Sequence, residues 1–254
     1  MATKAKAKTT KPKTVSDRGS GVSASKNVVD GPKKKKNYDT FKKFIQDLLK
    51  KQRGGGISGG ALDVTDRYVK IILEMIIRNA DLLLARSKKK TLSEKEIESA
   101  VRLTIPPPHR SEFSSEPGSE PPRNLAVEAN KRGAEAVRKF MSAQNNKVKG
   151  QGRSTKSKKA DLVFPVSRVK DRISESSSSD GLRVGEKSIV YLTAVLQYLT
   201  EELLQMAGEI ADSKKHVRIT PRDLKLAIEN DASLVKLTEN VYIPGGVRVR
   251  PKKR

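Results

Sequence analysis

The chain has 254 residues, with 53 Lys and Arg against 29 Asp and Glu, a formal charge of +24 at pH 7. A charge this concentrated implies a polyanionic partner, most often nucleic acid, in preference to a merely solubilising surface. Cysteine is absent, which excludes disulfides, thiolate zinc sites and cysteine nucleophiles, and no apolar run reaches the roughly 18 residues of a membrane span.

Trp is absent and aromatics make up 4% of the chain, which argues against base-stacking platforms for single strands or RNA loops. His109 and His216 have no companions at ligand or catalytic spacing and read as surface residues. No metal or cofactor is expected. The Lys-rich start lacks the apolar core of a secretory signal, and the length allows one or two domains.

Residues 1–36 read as a disordered basic tail. Lys4, Lys6, Lys8, Lys11 and Lys13 are spaced by small residues, and the run Lys33 to Lys36 fits a nuclear import signal. Tyr38 to Lys51 follows the rhythm of a helix, with Phe41, Phe44, Ile45, Leu48 and Leu49 on one face. Next come Gly54, Gly56 and Gly59 at the spacing G-x-G-x-x-G. As a dinucleotide fingerprint that spacing requires a preceding strand and a βαβ unit, and neither is present, so the enzyme reading is rejected. What survives is a glycine-rich loop opening a helix, where backbone amides can approach a phosphate.

A long helix is predicted from about Gly59 to Arg86, with Leu62, Tyr68, Val69, Ile72, Ile76, Ala80 and Leu83 inward. A basic loop, Ser87 to Lys90, follows. Ser93 to Glu96 forms a capping box opening a short helix with Ile97, Val101 and Leu103. Residues 106–123 are proline-rich and read as a surface linker. A helix over 124–142 is predicted next, its less polar side being Leu125, Ala129, Ala136, Val137 and Phe140. A basic linker continues to about residue 161.

The second half repeats the first. Phe164-Pro165-Val166 opens a short helix with proline in its first turn, and the serine-rich run from Ser174 to Gly181 ends it. A long helix from about Glu186 to Ala211 carries Ile189, Leu192, Val195, Leu196, Leu199, Leu203, Met206 and Ile210 inward. A second basic loop spans Ser213 to Arg218. Thr220 to Asp223 is a second capping box, before Leu224, Ala227 and Ile228. The same 35 positions separate Ile57 from Leu92 and Val184 from Ile219, and an internal repeat of this kind fixes the architecture.

A long helix between two short ones cannot cover its own apolar stripe. Two such modules crossing antiparallel bury both stripes and bring the first loop of each beside the second loop of the other. Helix N-termini and cations then converge at each end: Ile57, Ser58 and Lys88 to Lys90 from the first copy, and Arg183, Val184, Lys214, Lys215 and Arg218 from the second. Such corners grip phosphates without reading sequence, and an Arg can enter a minor groove that faces inward. Sharing one chain makes the pairing independent of protein concentration.

The segments "VFPVSRVKDRI", "VYLTAVLQYLTEELLQMAGEIA", "RITPRDLKLAIEND" and "NVYIPGGV" resemble a 2A-type core histone, and "GISGGA", "TLSEKEIESAVRL" and "GAEAVRKF" resemble a 2B-type one. The fusion is similar to the histone doublets of large DNA viruses. The resemblance implies an all-α fold: two histone folds in an intramolecular handshake, with an extra helix after the first and disordered basic tails. The corresponding boundaries are a tail to 36, a first fold over 37–105, a linker over 106–123 and the extra helix over 124–145. A basic linker over 146–161, a second fold over 162–236 and a docking segment with a short tail over 237–254 complete the chain.

The implied function is structural: wrapping double-stranded DNA in a nucleosome-like particle with 4-type and 3-type histones or their doublet, and with a homotypic copy across the particle dyad. The expected location is a nucleus or viral factory, with packaging in the virion as an extension. Carried over by position, the DNA contacts are Gly56, Ile57, Ser58, Lys90, Thr91, Arg168, Arg183, Val184, Val217 and Arg218. Lys88, Lys89, Lys214 and Lys215 of the loops and Lys156 and Lys159 of the basic linker join them. Leu82, Leu83, Leu84, Ile97 and Val101 would face the 4-type partner, and Val241, Tyr242 and Ile243, within 241–247, the 3-type one.

The family's acidic patch is expected to be depleted. Glu202 and Asp231 keep two of its acids, Gln197, Gln205, Ala232 and Ser233 replace four, and Arg132 reverses a fifth charge. Asp171 and Glu175 after Arg168, a longer loop before Arg183 and a C-terminal tail cut to "RVRPKKR" suggest a looser grip on DNA. The runner-up reading is a histone-fold transcription regulator or recruitment module, but no set of side chains placed for base edges is identifiable. An RNA-binding basic protein is the third reading and an enzyme the last, since no paired carboxylates, metal set or nucleophile–base pair stands out.

Overall fold

The computed structural model describes residues 40–105, 124–145, 154–177 and 182–238. The first module comprises α1 (Lys42–Arg53), β1 (Gly56–Ile57), α2 (Gly59–Ser87), β2 (Thr91–Leu92) and α3 (Glu94–Thr104). Then come α4 (Leu125–Asn145) and the single turn α5 (Lys156–Lys159). The second module comprises α6 (Val166–Ser176), β3 (Arg183–Val184), α7 (Glu186–Ser213), β4 (Arg218–Ile219), α8 (Pro221–Asn230) and α9 (Ala232–Thr238). The expected short–long–short order thus appears twice. The proline-rich linker 106–123, the tail 1–36 and the docking segment 241–247 lie outside the described residues.

The strands are two-residue bridges, and their pairing sets the topology. β1 pairs with β4 in parallel, Gly56 opposite Arg218 and Ile57 opposite Ile219. β2 pairs with β3, Thr91 opposite Arg183 and Leu92 opposite Val184. The start of α2 therefore meets the end of α7 and the reverse, so the two long helices run antiparallel and the modules clasp each other.

The two long helices are not buried alike. α2 buries a stripe that includes Leu62, Tyr68, Val69, Ile72, Ile76 and Ala80, as its periodicity predicts, but at its end Leu84 is buried while Leu83 is half-buried. α7 is buried on all sides from Ser188 to Thr200, through Ile189, Tyr191, Leu192, Val195 and Leu199, while Gln205, Glu209 and Asp212 are exposed nearer its end. It touches α1, α2, α3, α4, α6 and α8. Met206 and Ile210 are only half-buried, and the small residues Ala207, Gly208 and Ala211 take the inner positions there.

α4 packs along α7 through Leu125, Ala129, Ala136, Val137 and Phe140, the side its sequence predicts. Two further residues bring it close. Tyr191 donates its hydroxyl to Asn130 Oδ1 at 3.0 Å, and Gly133 lies so near the Tyr191 ring that a Cβ there would stand 2.7–2.9 Å from three ring carbons.

Two local expectations are corrected, and one further helix is added. The stretch read as basic linker up to residue 161 holds a helical turn, α5, because Thr155 caps it by accepting from the Lys158 amide at 3.3 Å. Pro165 precedes α6 as its cap and does not lie in its first turn. A separate α9 follows α8 because Asp231 Oδ1 accepts from the Leu234 amide at 2.9 Å and starts a new helix.

Gly133→Ala provides a test of sign. An exposed helical glycine replaced by alanine gains about 1 kcal/mol. Here the ring contact reverses the outcome, and the variant is expected to lose about 1–3 kcal/mol, read as a lower urea midpoint at unchanged slope. A gain would show that α4 can move off α7 at little cost.

Candidate nucleic-acid interface

At the first corner, β1·β4, the Ser58 amide extends the ladder by donating to the Ile219 carbonyl at 3.0 Å. Ser58 caps α2, its hydroxyl accepting from the Ala61 amide at 3.3 Å. Gly56 lets Arg218 lie across the strand, since a Cβ there would come within 3.0 Å of Arg218 Cγ. α2 has no acid in its first turn, so its N-terminal potential is available to an anion. Val217 stands 89% exposed beside it. Of the three spaced glycines, Gly54 ends α1, Gly56 lies in β1 and Gly59 opens α2. A helix precedes them, as the rejection of the cofactor fingerprint requires.

The second corner, β2·β3, has the same construction. The Arg183 amide donates to the Lys90 carbonyl at 2.9 Å and the Gly185 amide to the Leu92 carbonyl at 3.1 Å. Ser188 Oγ adds a 2.8 Å bond to the same Leu92 oxygen. Thr91, Arg183 and Val184 therefore sit together beside the start of α7.

The cations of the two loops divide into two groups. Lys89 Nζ lies 2.7 Å from Glu96 Oε1, and Lys214 Nζ lies 3.2 Å from Asp223 Oδ1. These two lysines brace the capping boxes of α3 and α8. Lys88, Lys90, Lys215, Arg183 and Arg218 have no carboxylate partner among the described residues. Lys88 and Lys215 both adopt left-handed backbone, φ 54° and 56°, and end their long helices in matching fashion. Lys156 is not free either: it pairs with Glu186 at 2.7 Å. That contact holds the Glu186 carboxyl below its ordinary range. Lys159 is half-buried in the same turn.

A third convergence lies between the corners and was not anticipated. The rings of Phe41 and Phe164 stack 5.6 Å apart at the starts of α1 and α6. Arg168 reaches across to the Thr40 carbonyl and stands 4.8 Å over the Phe44 ring. Arg168, expected as a DNA contact, is half-buried and engages these groups at the start of α1. The only sequence signal was the aromatic residue at the start of each first helix.

The apolar partner surface is partly corrected. Ile97 and Val101 are fully buried and Leu84 nearly so, all inside the chain's own core. Leu82 is exposed, Leu83 half-buried, and Leu103, expected with Ile97 and Val101 in the apolar set of α3, is exposed. Val241, Tyr242 and Ile243 lie outside the described residues. The acids are corrected as well. Glu202 is 6% exposed and Asp231 is half-buried and occupied as a cap. Burial, with the charges of Asp231 and Glu202 adding to it, pushes the Tyr68 phenol far above its ordinary range. Both carboxylates thus act on the interior, Glu202 buried and Asp231 half-buried.

No cluster of three metal-binding side chains occurs among the described residues, and none of their helices is long and apolar enough to cross a membrane.

The chain matches the core histone H2A/H2B/H3/H4 domain family over residues 33–103 and 142–230. It is similar to histone H2A.Z of Meyerozyma guilliermondii, 44% identical over 115 residues, covering 42% of this chain and 86% of that one. It is also similar to histone H2A of Kluyveromyces lactis, 43% identical over 108 residues, covering 42% and 82%. Histone macroH2A1.1 of Capsaspora owczarzaki matches at 44% over 95 residues, covering 37% of this chain and 25% of that one. Among solved structures, the histone from Methanopyrus kandleri aligns with a TM-score of 0.44 and 18% identity, over 78% of this chain and 97% of that one.

The capping acids predict an acid response. Burial pushes Glu96 up, but hydrogen bonds from Lys89 and Ser93 outweigh it and hold the carboxyl at about 2. Burial likewise raises Asp223, and Thr220, His216 and Lys214 outweigh it, leaving the carboxyl well below the usual range. Both are depressed on folding, so their contribution is full above about pH 4.5 and disappears as pH falls toward 2. Glu96→Gln and Asp223→Asn should each cost about 1–3 kcal/mol at neutral pH. The gap to the parent chain in urea midpoint should shrink on acidification below about pH 4.

Proposed function

The chain belongs to the core histone family, and we propose that it is a 2B–2A histone doublet that packages DNA without reading its sequence. The observation that carries this reading is the reciprocal pairing of the loops. β1 lies against β4 and β2 against β3, so Arg218 faces Gly56 and Arg183 faces Thr91 at opposite ends of one body. Each end joins the start of a long helix to cations without a carboxylate partner, a combination that favours backbone phosphates. The DNA contacts are Gly56, Ile57, Ser58, Thr91, Val184 and Val217 through their exposed loops, and Lys88, Lys90, Arg183, Lys215 and Arg218 through charge.

In this reading the doublet assembles with 4-type and 3-type histones, or their own doublet, and with a second copy of itself across a particle dyad. The exposed leucines Leu82 and Leu103 offer an apolar face to the 4-type partner, and 241–247 serves the 3-type one. In this reading the particle works on chromosomal DNA, in a nucleus or in the factory of a large DNA virus.

Reconstitution with those partners on random-sequence DNA, followed by nuclease digestion, tests the reading. A discrete protected length on the order of 120–150 bp is expected; a smear with no plateau would overturn wrapping. On duplex DNA, Arg183→Ala and Arg218→Ala should each reduce the salt slope by about one, leaving sequence preference unchanged.

A second prediction concerns the face around α4 and α7. Gln197 is committed inward, its Oε1 accepting from the amides of Val163 at 2.8 Å and Phe164 at 3.2 Å. Glu202 is buried, and Arg132 is exposed on α4. A peptide that docks on acidic nucleosome faces through an arginine should bind the reconstituted particle at least about tenfold more weakly than an ordinary nucleosome. Equal affinity in a titration would contradict this.

A further inference from the structure

His216 lies in the loop between α7 and β4, two residues before Arg218. Its amide donates to the Ala211 carbonyl at 2.8 Å, and its Nδ1 lies 3.1 Å from Asp223 Oδ2. Asp223 is fully buried. The same Oδ2 accepts from the Thr220 amide at 3.0 Å and the Thr220 hydroxyl at 2.7 Å, and Oδ1 accepts from Lys214. Those donors outweigh the burial that would raise Asp223 and keep it ionised near neutrality.

An ionised carboxylate only accepts hydrogen bonds, so Nδ1 carries a proton whether the ring is neutral or charged. In the neutral ring the lone pair is therefore on Nε2, which is the nitrogen left to accept a further proton. The side chain is 40% exposed, and Nε2 has no partner among the described residues.

The internal repeat sharpens the point. With Leu92 aligned on Ile219, His216 falls on Lys89, Lys215 on Lys88 and Asp223 on Glu96. Lys88 and Lys215 share their left-handed backbone. Lys89 bonds Glu96 at 2.7 Å where His216 bonds Asp223. A permanent cation in the first copy is replaced by a titratable one in the second. The charged groups on its own loop and the elements that flank it are Asp223 and Arg222 on α8, Lys214 and Lys215 in the loop, Arg218 on β4, and Asp212 at the end of α7. Arg53 at the end of α1 pairs with Asp212.

We propose that His216 is a proton-gated phosphate contact: when a duplex backbone docks on this corner, Nε2 takes a proton from solvent and the imidazolium donates Nε2–H to a phosphate oxygen. The inference rests on the DNA-packaging reading. Lys214 is already committed to Asp223, so the imidazolium adds a charge that the corner otherwise lacks. The response belongs to one corner only, because the matching position at the other corner is Lys89, a lysine paired with Glu96.

The test is binding of the full chain to a random-sequence duplex at about pH 6 and about pH 8 over a salt series. The variants are His216→Gln, His216→Lys and His109→Gln. The parent chain should bind about three- to tenfold tighter at the lower pH, a one-unit preference for the cation being tenfold. Its salt slope should be steeper there by about 0.9. Calorimetry in two buffers of different ionisation heat should show proton uptake on binding near pH 7. His216→Gln should lose the pH response and the uptake, while His109→Gln keeps both. His216→Lys should bind at the higher pH as tightly as the parent chain does at the lower, which separates charge from folding.

Duplex binding that is tight but indifferent to pH, or a pH response that survives in His216→Gln, overturns the inference and leaves DNA packaging standing. Absence of duplex binding by the parent chain at both pH values overturns the packaging reading, and this inference with it.

Discussion

α7 buries every side chain from Ser188 to Thr200, and a helix buried on all its faces is stable only when enclosed. One module cannot enclose it. α6 and α8 belong to its own half, but α1, α2, α3 and α4 come from the other, and without them its outer surface would face water. The second half therefore depends on the first more than the reverse, since α2 keeps an exposed face with Glu74, Arg78 and Leu82. The antiparallel clasp follows from this need, and the two-residue ladders at its ends fix the register. A slip of one residue at Ile57–Ile219 or Leu92–Val184 would turn an apolar side chain outward.

The same ladders shape the surface. Where two loops from different halves are tied together, their cations cannot spread apart, and mutual repulsion must be managed locally. The chain does so by folding one lysine of each second loop onto a capping carboxylate, Lys89 onto Glu96 and Lys214 onto Asp223. These acids also close the helix caps. Each therefore stabilises a helix start and shields part of the loop charge, which leaves a smaller and better defined set of cations directed at solvent.

The fold was largely legible in the sequence. The repeat spacing, the stripe on each long helix and the two capping boxes specify the elements and their order, and the need to cover both stripes specifies the clasp. Sequence spacing could not tell which cations remain available, because that depends on contacts between distant segments. Arg168 is held by Thr40 and Phe44, and Lys156 by Glu186. Ile97 and Val101 were read both as inner residues of α3 and as partner-facing ones, and only the burial of α3 against its neighbours decides between these. The α5 turn is not legible from rhythm because a run of lysines carries no apolar period; its cap, Thr155, is the one signal in the sequence.

The two modules are halves of one polypeptide. Beyond α4 the chain passes through α5, pinned by Lys156 to the start of α7 and by Asp161 to Lys139 of α4. Neither half can then be exchanged for a variant of itself while the other stays in place. Turnover of this protein removes and restores both halves at once, in a stoichiometry that translation alone has already set.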